Sequence, residues 1–325
     1  MKGISIRKIV EKVLKVLVSG FLIAFLLHRI GLDRLGVQLS HVHAFWLISA
    51  VFVFLASHLL GSYQWTLLLH ADSIKLPWTR ALQFYFVGLF FNNFLISGLG
   101  GDLFRIVDVR RYSQKGAAAV SSVFLDRFMG LLVLSGLALL VSPVISILWG
   151  FPARFQLILL IFSMGWVLVL LILFNRRFAR FLTWGVRRLM PQEFAIKART
   201  VYNHIHEFGR KRKLFLTVVL ISVVVQSLRV LTHYLLARSF GISLPIMYFF
   251  LIIPLIAITA SLPVSLGGLG VRENVGVMLF GLVGMAEIQA FSVEFLAYLV
   301  AIFCSLPGGL LFIIRKKTEP ENNPL

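Results

Sequence analysis

Apolar residues fall in long runs of helix-compatible composition, near 13 to 30, 44 to 62, 81 to 97, 118 to 141, 156 to 174, 214 to 238, 246 to 263, 271 to 285 and 290 to 314. Several approach the roughly 20 residues that an α-helix needs to cross the hydrocarbon core of a bilayer. The pattern predicts an all-α polytopic membrane protein. Two places interrupt it with glycines followed by charge: "SGLGGDLFRIVDVRR" at 97 to 111 and "SLGGLGVREN" at 265 to 274.

The polar stretches decide which runs cross. Basic residues gather at the N-terminus (Lys2, Arg7, Lys8, Lys12, Lys15), at Lys75 and Arg80, at Arg105 to Lys115, from Arg176 to Lys213, and in "RKK" at 315 to 317. By the positive-inside rule all of these belong on the cytoplasmic side. They can share that side only if 81 to 116 dips into the membrane and returns. The glycines then let the backbone reverse at depth, where irregular backbone is tolerated only when buried in protein. The same reasoning makes 246 to 263 and 271 to 285 a second hairpin, entered from the outside and bent by Pro254 and Pro263. The expected architecture has about six full spans plus two re-entrant helical hairpins entering from opposite sides, with both termini cytoplasmic in the inner membrane.

The two turns share a spacing, Leu99-Gly100-Gly101 before Arg105 and Leu266-Gly267-Gly268 before Arg272. Each belongs to a unit of two spans, a hairpin and a third span, so the chain reads as one transmembrane domain, residues 1 to 325, built as an inverted-topology repeat. The first repeat runs from about 10 to 142 and the second from about 155 to 315. Between them the connection 175 to 213 sets Phe178, Phe181, Leu182 and Leu189 opposite Arg177, Arg180, Arg187 and Arg188. That spacing predicts an in-plane amphipathic helix that anchors at, and draws anionic headgroups to, the cytoplasmic surface.

Inverted repeats with broken helices place a site near the midplane, where half-helix N-termini attract anions. Arg105 and Arg272, with the backbone at Gly100, Gly101, Gly267 and Gly268, are therefore candidate ligands for a phosphate. Asp102, Asp126, Arg127 and Glu273 are candidate orienting or proton-coupling groups, since intramembrane charges are costly unless paired or used. The plainer reading of each is a local ion pair that fastens the hairpin. Asn92 and Asn93 suit the satisfaction of freed backbone groups, and Arg229 and Glu294, lone charges within spans, suit a mutual or hairpin-directed pair. His41 with His43 and His204 with His206 lie on connections and read as solvated. Trp46, Trp65 and Trp78 suit the interfacial belt.

Composition narrows the partners. The chain is 59% hydrophobic with a formal charge of +19. Because its basic residues flank apolar runs, they match headgroups rather than nucleic acid. Cys304, the single cysteine, provides neither a disulfide framework nor a metal spacing. No cofactor or metal is expected.

"NNFLISGLGGDLFRIVDVRR", "SSVFLDRFMGLLVL" and "SLPVSLGGLGVRE" resemble the signature segments of the lysylphosphatidylglycerol synthase transmembrane-region family, a group of flippase-like membrane proteins. The resemblance covers essentially the whole chain. Ser97 departs from it where the family often has proline, and Asp102 and Asp126 stand where glutamates are common. In the bifunctional members this region translocates lipid beside a soluble aminoacyl-transferase domain. Here the resemblance implies a stand-alone, non-enzymatic translocase of an anionic or phosphate-bearing lipid, a membrane phospholipid or a polyprenyl phosphate. An accessory or catalytic role in polyprenyl-phosphate-linked glycan or glycolipid synthesis is the alternative.

Overall fold

A computed structural model describes residues 42–94, 100–150, 208, 211–261, 268 and 270–314, with isolated positions in 36–40 and 157–168. The predicted first span, Gly267, His41, His204, His206 and most of the run 156 to 174 and of the connection 175 to 213 lie outside these residues. The described residues form eight principal helices: α1 (Ala44–Ala71), α2 (Trp78–Phe94), α3 (Gly100–Ser113), α4 (Gly116–Trp149), α5 (Arg212–Ser239), α6 (Ile246–Ser261), α7 (Val271–Gly281) and α8 (Glu287–Ile314).

Four of them, α1, α4, α5 and α8, are long and apolar enough to cross a membrane. Their outward faces are apolar too, at helical spacing: Phe45, Ile48, Phe52, Leu59 and Tyr63 on α1, Leu216, Leu220 and Val224 on α5, and Phe303, Leu306, Leu310 and Ile313 on α8 are exposed. In water such stripes would be a liability, whereas in lipid they face their natural solvent. The protein is a helical membrane protein. Its helices overrun the apolar runs: α1 continues from 62 to Ala71 because Gln64, Trp65 and Thr66 are buried against other helices instead of marking an end.

The other four helices have 17, 14, 16 and 11 residues. At 1.5 Å per residue none reaches the roughly 30 Å of a bilayer core. They pack as two antiparallel pairs. In α2–α3, the Phe91 and Phe104 rings stack 3.9 Å apart and the Asn92 side-chain oxygen accepts the Gly101 N–H at 2.9 Å. That contact confirms the backbone-satisfying role expected of Asn92, whereas Asn93 donates across to the Ala301 carbonyl within α8 at 3.2 Å. The pair returns to the end from which it left, because Lys115 Nζ, just past α3, donates to the Ser73 carbonyl, just before α2, at 3.0 Å. In α6–α7, Phe249 near one end of the pair lies 5.1 Å from Phe280, while at the turn Gly268 has φ +83° and approaches Ala260.

Helix packing follows a rule. α1 packs along α5, α2 on α8, and α4 on α6, while α2 meets α3, α3 meets α4, α6 meets α7 and α7 meets α8. Exchanging α1–α4 in order for α5–α8 leaves the whole set of packed pairs unchanged. The two equivalent helices α1 and α5 run antiparallel: the His43 N–H at the start of α1 bonds the Ser239 carbonyl at the end of α5 (2.9 Å), and Lys211 Nζ at the start of α5 bonds the Ala71 carbonyl at the end of α1 (2.8 Å).

Two glycines permit the closest approaches. A Cβ on Gly101 would run into the Gly88 carbonyl of α2, and one on Gly308 would run into the Phe86 carbonyl. Backbone on the opposing side cannot rotate away. Gly101→Ala is expected to destabilise by about 3 kcal/mol, the upper part of the overpacking range, read as a lowered unfolding midpoint in detergent. Retention of the wild-type midpoint would refute this packing.

Candidate functional site

Arg105 is the hub of the first half. Its side chain is 5% exposed, held 4.1 Å above the Trp65 ring of α1 and 4.7 Å from the Tyr85 ring of α2. One guanidinium nitrogen donates to Asp126 of α4 at 2.8 Å, and another stands 3.6 Å from Asp102 on its own helix. Gly88 makes room for it, since a Cβ there would fall 2.7 Å from Arg105 Cγ. Asp102 in turn accepts two bonds from Arg127, at 2.9 and 3.2 Å. The hairpin is thereby fastened to α4 by two crossed ion pairs, and paired charges are what a membrane interior tolerates. Asp108, about one turn beyond Arg105 on α3, is buried as well.

Trp65 corrects an expectation. It is fully buried, not interfacial, because its ring supports Arg105 and its indole N–H donates to Ser122 at 3.3 Å. Trp78 is partly exposed and donates to Ser62 at 3.0 Å.

Beside Arg105 lies a cavity of about 230 Å³ between α1, α2, α4, α5 and the end of α6, lined by His58, Gln64, Arg105, Asp126, Arg127 and Arg229 among others. Sequence reading singled out neither His58 nor Gln64, although both are polar interruptions of an apolar run. Gln64 ties the wall together, donating to Asp126 at 3.2 Å and accepting from Ser222 at 2.7 Å. Arg229 was expected to pair with Glu294 or a hairpin. It makes no ion pair with Glu294 and turns to the first hairpin instead, donating to the Tyr85 hydroxyl of α2 at 3.4 Å, with no carboxylate in ion-pair range among the described residues. Arg105 and Arg127 consume Asp102 and Asp126 between them. Among the described residues one guanidinium at the cavity is left without a carboxylate, that of Arg229.

The second half repeats the linkage with different chemistry. Arg272 stands 3.6 Å from Glu294 of α8 and 3.5 Å from Glu273, and lies 5.2 Å from the Tyr298 ring. In both halves the arginine of the short returning helix meets a carboxylate on the next long helix, 21 residues on at Asp126 and 22 at Glu294. Glu273 also has a local duty, accepting the Gly270 N–H at 2.6 Å to cap α7. The structure thus brings Arg105, Asp102, Asp126, Arg127, Gly100 and Gly101 together, and places Arg272, Glu273 and Gly268 in a separate cluster away from the cavity lining.

Comparison with known proteins finds membrane proteins. A UPF0104 membrane protein from Pyrococcus horikoshii is 22% identical over 335 residues, covering 94% of this chain and 98% of its own length. Residues 12–310 match the model of the Lysylphosphatidylglycerol synthase TM region, nearly the whole chain, and the protein therefore belongs to that family.

Proposed function

We propose that this protein is a lipid translocase that carries an anionic, phosphate-bearing headgroup through the α1–α6 cavity while the lipid tails stay in the bilayer. The observation that carries the reading is the guanidinium of Arg229, which faces that cavity with no counter-ion among the described residues. An unpaired positive charge in a membrane interior is costly and marks a substrate or ion path by default. A phosphate oxygen would complete it. The cavity has room for a phosphate and several waters, which take about 30 Å³ each. Arg272, placed outside the cavity lining, serves in this reading to lock the second hairpin.

The architecture supports the same reading. Antiparallel α1 and α5, with a packing set unchanged on exchange of the halves, suit an inverted repeat whose short pairs enter the membrane from opposite sides, the layout on which alternating access is built. If 81 to 97 crossed fully and the run 156 to 174 crossed once, α1 and α5 would run parallel. Basic residues at Lys115 and Lys211 meet the same end of α1, which this reading places in the cytoplasm.

The test is translocation in proteoliposomes, following headgroup-labelled phosphatidylglycerol, a labelled polyprenyl phosphate and a labelled neutral glycolipid by chemical quenching from outside. Faster exchange of a phosphate-bearing lipid than in empty vesicles, with the neutral lipid unmoved, is the expected result. No exchange of any of the three by folded protein would overturn the reading.

A further inference from the structure

The second charge cluster has a deficit opposite to the first. Arg272 is one guanidinium set against two carboxylates, Glu273 and Glu294. Glu294 is fully buried, and neither of its oxygens has a hydrogen-bond partner. Gly276 of α7 is what admits it, since a Cβ there would lie 2.8 Å from Glu294 Cγ.

His233 of α5 comes to within 3.7 Å of Glu294 Oε2 through Nε2. Its other ring nitrogen, Nδ1, is 3.1 Å from the Arg229 carbonyl. A carbonyl only accepts, so Nδ1 carries the hydrogen. In a neutral ring Nε2 is then a bare lone pair pointed at a carboxylate oxygen, two acceptors with nothing between them. The remaining neighbours do not resolve this. Tyr298 lies one turn along α8 against Arg272, α6 has no charged side chain, and α1 and α2 bring no charged partner into range of Glu294 among the described residues.

A single proton removes both faults: it neutralises the spare negative charge and places a hydrogen between Nε2 and Oε2. We infer that Glu294 and His233 together bind one exchangeable proton inside the membrane domain, with Arg272 and Glu273 completing the site. His233 and Arg272 are 15% and 20% exposed, so they form the open side of a site whose Glu294 is sealed. The site stands independently of any transport. Only its use, proton release driving the exchange between halves, rests on the translocase reading.

Infrared spectra of the full-length protein in nanodiscs at neutral pH, recorded in H₂O and D₂O, test it. The wild type is expected to show one deuterium-sensitive carboxylic-acid or imidazolium band that is lost in Glu294→Gln. Gln mimics the protonated carboxyl, so this variant is expected to keep the wild-type unfolding midpoint. A wild type with neither band overturns the inference, whatever the variant does, and so does a band that survives Glu294→Gln. A proton site present without lipid exchange would sink the translocase reading alone.

Discussion

Asp126→Ala is expected to destabilise the protein by about 3–5 kcal/mol, the cost of stripping the counter-ion from a buried charge. Asp126 is the closest carboxylate to Arg105, at 2.8 Å. The other, Asp102, is already held by Arg127 through two hydrogen bonds. Without Asp126 two guanidinium groups would share one carboxylate, and Arg105 could not reach water from 5% exposure. Gln64 would lose its acceptor as well. Because the penalty comes from the orphaned charge, adding Arg105→Met to the alanine variant should restore most of the stability, as removal of both members of a buried pair often does. Denaturant unfolding in detergent reads both. A single variant within about 1 kcal/mol of wild type, the level of an exposed pair, would contradict the network.

Arg229→Gln has the opposite signature. Arg229 makes one long hydrogen bond to Tyr85 and no ion pair among the described residues, so its removal takes away an unpaired charge and should leave stability unchanged or raised. Headgroup handling should suffer instead. A charge-assisted hydrogen bond is worth about 1.5–3 kcal/mol, which converts to roughly a 10- to 100-fold loss of apparent affinity for the phosphate-bearing lipid. The two variants separate the groups that hold the hairpin from the group that meets the ligand. Loss of stability in Arg229→Gln with unchanged lipid exchange would reverse these assignments.

The sequence made the charged hairpins legible because glycines and charges inside an apolar run have few uses other than a turn with a function or a fastening. The L-G-G spacing recurs at the start of α3 and just ahead of α7, and the arginine-to-carboxylate distances of 21 and 22 residues were there to be counted. What stayed hidden depends on which helices are neighbours. Arg229 and Glu294 look alike as lone charges in spans, yet one faces the cavity and the other is sealed behind Gly276. Trp65 looks interfacial by composition, but its ring is the platform for an arginine 40 residues later. Helix ends were missed where polar residues such as Gln64 are buried, since a polar residue ends a helix only if it has no partner inside.

The two charge clusters differ in sign among the described residues. A cavity with one guanidinium to spare calls for an anion, and a cluster with one carboxylate to spare calls for a proton. His233 links them through the chain itself, bonding the carbonyl of Arg229 one turn before it. Occupation of either site changes the charge on the same stretch of α5.

The most direct test of the cavity's role is photocross-linking with a phospholipid whose phosphate-bearing headgroup carries a diazirine, followed by peptide mapping of the adducts. Adducts are expected on the cavity walls, at α1 around Gln64 and α5 around Arg229, suppressed by unlabelled anionic lipid and by Arg229→Gln. Adducts confined to the lipid-facing residues, such as Phe52 and Leu220, would contradict it.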